Sequence, residues 1–123
     1  MESSLDMRIL DEYKVKFGIQ NVFGEQSKMI YTNNGLISTF LYQHSLIEIN
    51  QLLDVFTKLL TGEVTFLESP TQSLLLCIAN PTETMFYDDG DAWYNNPNAT
   101  PDYVLPTSDF KVIVEAWRDY LAQ

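Results

Sequence analysis

Apolar residues recur at helical spacing in two parts of the chain. The first part predicts a helix over residues 46–61, whose apolar stripe consists of Ile49, Leu52, Leu53, Phe56, Leu59 and Leu60. Ser45 and Glu48 have the spacing of a capping box, in which each side chain accepts a hydrogen bond from a backbone amide at the start of the helix. Gly62 suits the left-handed position that ends many helices.

The second helical pattern lies near the end of the chain and predicts a helix over residues 108–121. Its apolar stripe consists of Phe110, Ile113, Val114, Trp117 and Leu121. Pro106 favours extended geometry in the residue before it, so we expect Thr107 or Ser108 to cap this helix.

Strand patterns fill much of the remaining sequence. Apolar residues alternate with polar ones over residues 13–19, where Tyr13, Val15, Phe17 and Ile19 share one face, and partly over residues 63–69. Residues 73–79 form a continuous apolar run, which is typical of a central strand covered on both faces. Residues 83–87 and 103–105 are further candidate strands.

Two glycine-containing motifs predict tight turns. Asn33-Asn34-Gly35 separates residues 28–32 from residues 36–43, which predicts a β-hairpin. Asp88-Asp89-Gly90-Asp91 predicts another turn, which leads into an extended segment of Ala92, Trp93 and Tyr94. Residues 95–102, NNPNATPD, are dense in Asn and Pro and predict a surface loop. We therefore expect a single α+β domain over residues 1–123, mainly an antiparallel β-meander sheet with two amphipathic helices.

The composition is that of a folded domain. Of 123 residues, 46% are apolar and 20% are charged, which allows a normal core to form. The single cysteine, Cys77, cannot form an internal disulfide, and the N-terminal residues lack the pattern of a signal peptide. Since no run approaches the ~18 consecutive apolar residues of a membrane span, we expect a protein of the reducing cytoplasm with no membrane partner.

The negative charge is concentrated in the middle of the chain. The formal net charge is −10, and residues 59–110 contain 8 acidic residues but no Lys or Arg. These acids are Glu63, Glu68, Glu83, Asp88, Asp89, Asp91, Asp102 and Asp109. Such a segment argues against direct binding to nucleic acid. It is consistent either with a surface that keeps the protein soluble or with an acidic face that meets a basic partner.

Few residues offer catalytic or metal-binding chemistry. His44 and Cys77 lie far apart in sequence, which excludes the usual structural zinc site, and no cofactor is expected. His44 beside Ser45 is the candidate pair for nucleophilic catalysis, but Ser45 is already assigned to the helix cap. Cys77 lies in an apolar run and is interpreted as a core residue. Asp88 and Asp91 could act as an acid/base pair in a cleft, or could be solvated turn residues.

Residues 87–103 combine acidic and aromatic side chains without a single base. Aromatic residues dominate the energetics of protein interfaces, and neighbouring acids accelerate encounter with a basic protein. The candidate partner-binding residues are Asp88, Asp89, Asp91, Trp93, Tyr94, Asp102 and Tyr103. Trp93 is the expected anchor, although in a strand either Trp93 or Tyr94 would have to face the core.

The end of the chain resembles small bacterial immunity proteins. Residues 104–110, VLPTSDF, and residues 114–121, VEAWRDYL, are similar to the closing helix that follows a β-meander in these proteins. The rest of the chain shares their size and acidity rather than a motif. The resemblance transfers no individual functional residue, because these families diverge widely.

This resemblance implies that the protein binds and neutralises a cognate toxin domain of a contact-dependent or other polymorphic toxin system. Such toxins are frequently nucleases with a basic active-site groove, which an acidic inhibitor could occupy. Two other classes stay open from the sequence: an adaptor or structural subunit with an acidic surface, and a small enzyme that uses a carboxylate pair. An enzyme would hold its carboxylates in a deep pocket, whereas an inhibitor would expose them beside aromatic residues.

Overall fold

Helices and strands alternate through residues 4–123, which the computed structural model describes. Within this range the elements are α1 (Ser4–Glu12), β1 (Lys16–Val22), β2 (Glu25–Tyr31), α2 (Gly35–Tyr42), α3 (Leu46–Thr61), β3 (Leu67–Pro70), β4 (Leu76–Ala79), β5 (Glu83–Tyr87), α4 (Gly90–Asn95), β6 (Tyr103–Pro106) and α5 (Thr107–Leu121). The expected α+β class is confirmed. The chain has more helices than the two that were predicted, and its strands form two separate sheets.

The larger sheet is a meander in which β3, β4, β5 and β6 pair antiparallel in sequence order. Its central strand β4 is buried along its whole length, as the apolar run predicts, but it begins at Leu76 and not at residue 73. Cys77 and Ala79 belong to the main core, whereas Leu76 and Ile78 belong to a second, smaller apolar cluster. The sheet therefore has two apolar faces, which we call inner and outer.

Aromatic side chains join the inner face to the long helices. The ring of Phe110 on α5 packs edge-on against Phe86 of β5, with 5.3 Å between centroids, and against Phe56 of α3, with 5.2 Å. Phe40 of α2 packs against Phe86 in the same manner. All four rings are fully buried. Such edge-to-face pairs contribute about 0.5–1.5 kcal/mol each beyond their burial, so this cluster fixes the helices on the sheet.

Helix α3 has the bounds and the caps that the sequence predicts. The Ser45 hydroxyl accepts a hydrogen bond from the Glu48 backbone amide, and the Glu48 carboxylate accepts one from the Ser45 amide. Gly62 ends the helix with a φ of 79°. The pKa of Glu48 is lowered because its charged carboxylate accepts hydrogen bonds from the backbone amide and the side chain of Ser45.

The hairpin predicted around Asn33-Asn34-Gly35 is wrong. Asn34 instead caps α2, since its side-chain oxygen accepts a hydrogen bond of 2.9 Å from the Leu36 amide. The segment after it buries Ile37, Phe40 and Leu41, which are three and four positions apart and therefore lie on one side of a helix. The helical period of these residues outweighs the turn propensity of Asn-Gly.

The first hairpin is formed by β1 and β2. Its turn residues Phe23 and Gly24 have φ values of 51° and 82°, the positive pair typical of a type I′ turn. The strand predicted over residues 13–19 begins only at Lys16, because residues 4–12 form the unpredicted helix α1 and Lys14 adopts a φ of 54°. Tyr13 is buried between the two elements, and its hydroxyl donates to the Asp109 carboxylate.

Asp88–Asp91 do not form the predicted turn, and Ala92–Tyr94 are not extended. Asp89 caps the short helix α4, because its carboxylate accepts a hydrogen bond of 3.0 Å from the Asp91 amide. An acidic residue one position before glycine suits a helix start as well as a hairpin turn. The sequence signal was therefore real but ambiguous.

The predicted cap of the last helix is also wrong. Thr107 is the first residue of α5, after Pro106, and no side chain caps the helix. The Thr107 hydroxyl instead donates to the carbonyl of Asn80 and shares a 2.9 Å hydrogen bond with Thr84, inside the core. Both threonines are fully buried, and a buried hydroxyl without a hydrogen-bond partner would destabilise the fold, so this bond stabilises the core.

Replacing Gly90 with alanine is expected to destabilise the domain. An added Cβ would lie 2.9 Å from the carbonyl oxygen of Leu74 and 3.0 Å from the Leu76 Cβ. Overpacking of this kind costs about 1–3 kcal/mol. Gly35→Ala is the matched control, since a Cβ at the start of α2 meets nothing within 4 Å. Urea unfolding of both variants measures the difference, and equal stabilities would contradict the tight approach of α4 to β4.

Candidate functional site

Among residues 4–123, no long helix packs on the outer face of the meander sheet. Its apolar cluster consists of Leu76, Ile78 and Tyr87, with Met85, Trp93 and Ala99 partly buried against them. The short helix α4 and the Asn- and Pro-rich loop after it supply Trp93 and Ala99. Because this cover is small, side chains at its margin stay exposed.

Hydrogen bonds hold this cover on the sheet. The Gly90 amide donates to the carbonyl of Leu74 at 2.7 Å, which ties the start of α4 to the residues before β4. The Tyr87 hydroxyl donates to the carbonyl of Ala99 at 3.0 Å, which ties the loop to β5. Both ends of the segment are therefore fixed, and the aromatic residues of α4 have a defined position.

Three aromatic side chains form a continuous group at the margin of the cover. Trp93 stacks on Phe66 with 6.3 Å between centroids and meets Tyr94 edge-on at 5.2 Å. Trp93 is half-buried, whereas Phe66 is 52% exposed and Tyr94 50%. Aromatic rings with this much exposed area are the side chains that most often anchor protein interfaces.

The carboxylates of Glu68 and Asp91 lie beside the aromatic group. The Tyr94 hydroxyl donates to the Glu68 carboxylate at 2.7 Å, which links α4 to β3. This hydrogen bond raises the pKa of Tyr94, and the nearby charges of Glu68 and Asp91 contribute in the same direction. The Asp102 carboxylate accepts a hydrogen bond of 2.8 Å from the Asp88 amide, which brings the two acids together at the ends of β5 and β6.

We refer to these residues as the acidic aromatic face. It comprises Phe66, Glu68, Asp91, Trp93 and Tyr94, which lie against one another, and Asp88, Asp89 and Asp102 at the start of α4, where hydrogen bonds join Asp88 to Asp102 and Asp89 to Asp91. The salt bridges found within residues 4–123 join Lys58 to Asp54, Lys111 to Glu115 and Arg118 to Asp119, so none of them neutralises this face. The carboxylates are exposed, and their charges remain available to a second molecule.

Of the candidate residues, Asp91, Trp93 and Tyr94 lie together, and Asp88, Asp89 and Asp102 lie at the start of α4, but Tyr103 lies on the other face of the sheet. Tyr103 pairs with Phe86 in the sheet, so its side chain lies on the inner face and packs against the main core. Burial raises its pKa, and a hydrogen bond with Asn33 acts in the opposite direction. The side-chain alternation of β6 instead places Val104 on the outer face, where it is 43% exposed.

The structure adds Phe66 and Glu68 to the site. Glu68 was one of the acids of the middle segment, but only the register of β3 with β4 puts it beside Ile78 on the outer face. Phe66 lies just before β3 and meets Trp93 across 27 positions of sequence. The alternation of residues 63–69 was a signal for a shared face, but it did not show which other element would cover that face.

The remaining candidate groups have structural partners. The Nδ1 atom of His44 lies 2.7 Å from the carbonyl of Phe40, and its ring packs on Phe40. Cys77 is fully buried, and this burial raises the pKa of its thiol. Among residues 4–123, no three His, Cys, Asp or Glu side chains are grouped so that they could hold a metal ion. None of the helices in that range is both long and apolar enough to cross a membrane.

Comparison of the chain with protein-family models, with curated proteins and with solved structures gave no match. The function of this chain is therefore inferred from the geometry of the site and from the residues that form it.

The hydrogen bond between Tyr94 and Glu68 predicts a pH dependence. Because the pKa of Tyr94 is raised in the folded protein, the bond contributes its full stability below the ordinary tyrosine pKa of 10.0. That contribution is lost as the pH rises through the higher folded value. In an absorbance titration, Glu68→Gln should lower the pKa of one tyrosine relative to wild type, and Tyr94→Phe should remove that tyrosine from the curve. A titration left unchanged by Glu68→Gln would contradict this contact.

Proposed function

We propose that this protein is an immunity protein, which binds a cognate toxin domain with a basic surface and neutralises it. The acidic aromatic face is the proposed binding surface. The proposal combines this face with the resemblance of residues 104–121 to immunity proteins. No cofactor takes part, and the toxin is a nuclease that meets its inhibitor in the cytoplasm.

The observation that carries the proposal is the exposure of carboxylates beside aromatic rings on one face. A carboxylate-dependent enzyme would need these groups in a cleft that excludes water. Here Glu68 and Asp91 instead lie beside Tyr94 at the margin of a sheet, open to a large partner. This arrangement favours recognition of a protein surface over chemistry on a small molecule.

Electrostatics would bring the two proteins together. The Debye length is about 8 Å at physiological ionic strength, so neighbouring carboxylates act jointly on an approaching surface. A nuclease must attract phosphate and therefore presents a positive groove. Complementary charge raises the association rate and orients the encounter, because wrong orientations bring like charges together or leave charges unpaired.

The aromatic group would hold the complex once it is formed. Trp93 already packs against Phe66 and Tyr94, so its side chain loses little conformational entropy when a partner covers it. Aromatic anchors of this kind account for a large part of the binding energy of protein interfaces. Arginine side chains of a basic partner can also stack on these rings while they pair with the carboxylates.

Co-expression tests the function directly. The toxin domain is taken from the reading frame immediately upstream of the gene and is produced in a bacterial host with or without this protein. We expect growth to be rescued by wild type and lost again with Glu68→Lys/Asp91→Lys, whose purified form should remain folded by circular dichroism. If the charge-reversed variant rescued growth as well as wild type, the binding surface would lie elsewhere. If wild type gave no rescue, the proposed function would be contradicted.

Removing charge from the face is expected to slow association. In Glu68→Gln/Asp88→Asn/Asp91→Asn the association rate with the toxin domain should fall about tenfold at low salt, and the difference should shrink as salt is added. Asp89 and Asp102 are left unchanged because their carboxylates accept backbone hydrogen bonds. Stopped-flow measurements over a range of ionic strength give the rates.

A second triple variant controls for net charge. Asp11→Asn/Asp54→Asn/Asp119→Asn removes the same charge from α1, α3 and α5, and should leave the association rate near the wild-type value. If both triple variants slow association equally, the overall charge of the protein, rather than this face, would be responsible.

Truncating an anchor is expected to affect dissociation. Phe66→Ala should weaken binding by about 2 kcal/mol, through faster dissociation, because it removes one exposed ring and the support of Trp93. Ile47→Ala on α3 is the matched control, since Ile47 is 72% exposed and lies outside the acidic aromatic face. Surface plasmon resonance separates the two rates, and equal dissociation of both variants would exclude Phe66 from the interface.

A further inference from the structure

The hairpin of β1 and β2 presents a fully exposed aromatic residue at its tip. Phe23 has 101% of its reference exposure, and its φ of 51° is costly for a bulky side chain. Asparagine is the common residue at this position of a type I′ turn, because it tolerates positive φ more readily. Within residues 4–123 no ring or apolar cluster packs against Phe23, so neither turn chemistry nor the core accounts for it.

A groove that can hold an aromatic ring opens at the other end of the same hairpin. It lies between β2 and α2, has a volume of about 370 Å³, and is lined mostly by apolar surface. Tyr31 and Tyr42 flank it, and each is 40% exposed. Gly35 adds open space, since no atom lies within 4 Å of where its Cβ would be. A cavity of about 150 Å³ is enough to hold benzene, so a phenyl ring fits.

One face of the hairpin connects the tip to the groove. The pairs Lys16↔Tyr31, Gly18↔Met29, Gln20↔Ser27 and Val22↔Glu25 share this face, which we call the hairpin outer face. The opposite face is covered where Phe17 stacks on Trp117 and Tyr120 of α5, whereas Ile19 farther along it is 58% exposed. The hydrogen bond between Gln20 and Tyr31 confirms that the outer-face side chains lie together.

The charges at the two ends of the hairpin outer face are opposite. Lys16 lies at its base beside the groove, and Glu25 lies at its tip beside Phe23. Both residues are exposed, and no salt bridge within residues 4–123 involves either. They are six positions apart in the register, or about 20 Å, which is too far for them to pair within one chain. The hairpin therefore carries one unpaired charge of each sign.

A face with this pattern is complementary to itself. When two copies stack antiparallel about a two-fold axis near the middle of the hairpin, the tip of each lies over the base of the other. Glu25 then meets Lys16 of the second copy, and Phe23 reaches the groove between β2 and α2. Symmetry forms both contacts twice at no further geometric cost. Near the axis the Tyr31 ring lies against Gly18 and the Tyr42 hydroxyl shares a 3.2 Å hydrogen bond with Ser27, so these two tyrosines form the surface that meets the second copy.

The overall charge does not prevent this pairing. Residues 16–31 contain two lysines and one glutamate, so the hairpin lacks the negative excess of the rest of the chain. The acidic aromatic face belongs to the other sheet and shares no residue with the hairpin outer face. Self-association is therefore independent of the function proposed above.

We propose that two copies of this chain pair through their hairpin outer faces, with Phe23 of each copy seated in the Tyr31–Tyr42 groove of the other. The contact area is that of one hairpin face and its groove, which is at the small end of protein interfaces. The dimer is accordingly weak and forms reversibly at micromolar concentrations.

Sedimentation equilibrium of the full chain tests this pairing. Over roughly 10–500 µM chain, the wild-type mass should rise from 14.2 kDa towards twice that value. Lys16→Glu and Glu25→Lys should each weaken association at least tenfold by placing like charges together. The double variant Lys16→Glu/Glu25→Lys should restore it, because the exchanged charges pair again across the axis. Glu83→Lys makes the same charge change on β5 and should not reduce association.

A tip variant tests the aromatic contact without endangering the fold. Phe23→Asn removes the ring but introduces a residue that suits the type I′ turn, so the protein should stay folded by circular dichroism. Association of the variant should be at least tenfold weaker than that of wild type. Wild type with the mass of one chain throughout the range would overturn the proposal. The proposal would also be overturned if Phe23→Asn associated as strongly as wild type, or if the double variant Lys16→Glu/Glu25→Lys failed to restore association.

Discussion

The packing of Phe110 against Phe86 and Phe56 is the interaction on which the rest of this structure depends. It joins three elements that are far apart in sequence: the last helix α5, the strand β5 of the meander and the longest helix α3. Phe40 extends the same cluster to α2. Since protein interiors are close-packed, rings that interlock in this way leave one arrangement of the helices over the inner face.

This arrangement determines what the outer face can become. Both long helices pack on the inner face, so among residues 4–123 the outer face is covered by the six residues of α4 and the loop that follows them. Such a short cover buries Leu76 and Ile78 but leaves Phe66, Tyr94 and Val104 at its margin. The exposed aromatic group is thus a consequence of how the core is filled, and the Tyr94–Glu68 hydrogen bond fixes it in place.

The distribution of charge follows the same division. Lys58, Lys111 and Arg118 lie on the two long helices and pair there with acids that are close in sequence. Lys28 on the hairpin donates to carbonyl oxygens at the end of α5 and lies over the ring of Tyr120. These basic side chains therefore have partners within the helical layer and the hairpin, whereas no salt bridge among residues 4–123 involves an acid of the acidic aromatic face. The net charge of −10 is consequently least neutralised at the acidic aromatic face.

The sequence by itself determined the elements whose signals are local. Helix α3 has its predicted bounds because the apolar period, the capping box and Gly62 agree, and β4 is a covered strand because its apolar run has no polar face to expose. Asn-Gly and Asp-Gly were misread as turns because the same residues also cap helices, and the apolar spacing after Asn34 favoured a helix. Only the tertiary structure decided which side chains share a surface: strand register put Glu68 on the outer face and Tyr103 on the inner one, and sheet packing brought Phe66 to Trp93. Contacts between residues so distant in sequence depend on how whole elements pack, and no local pattern of residues records that.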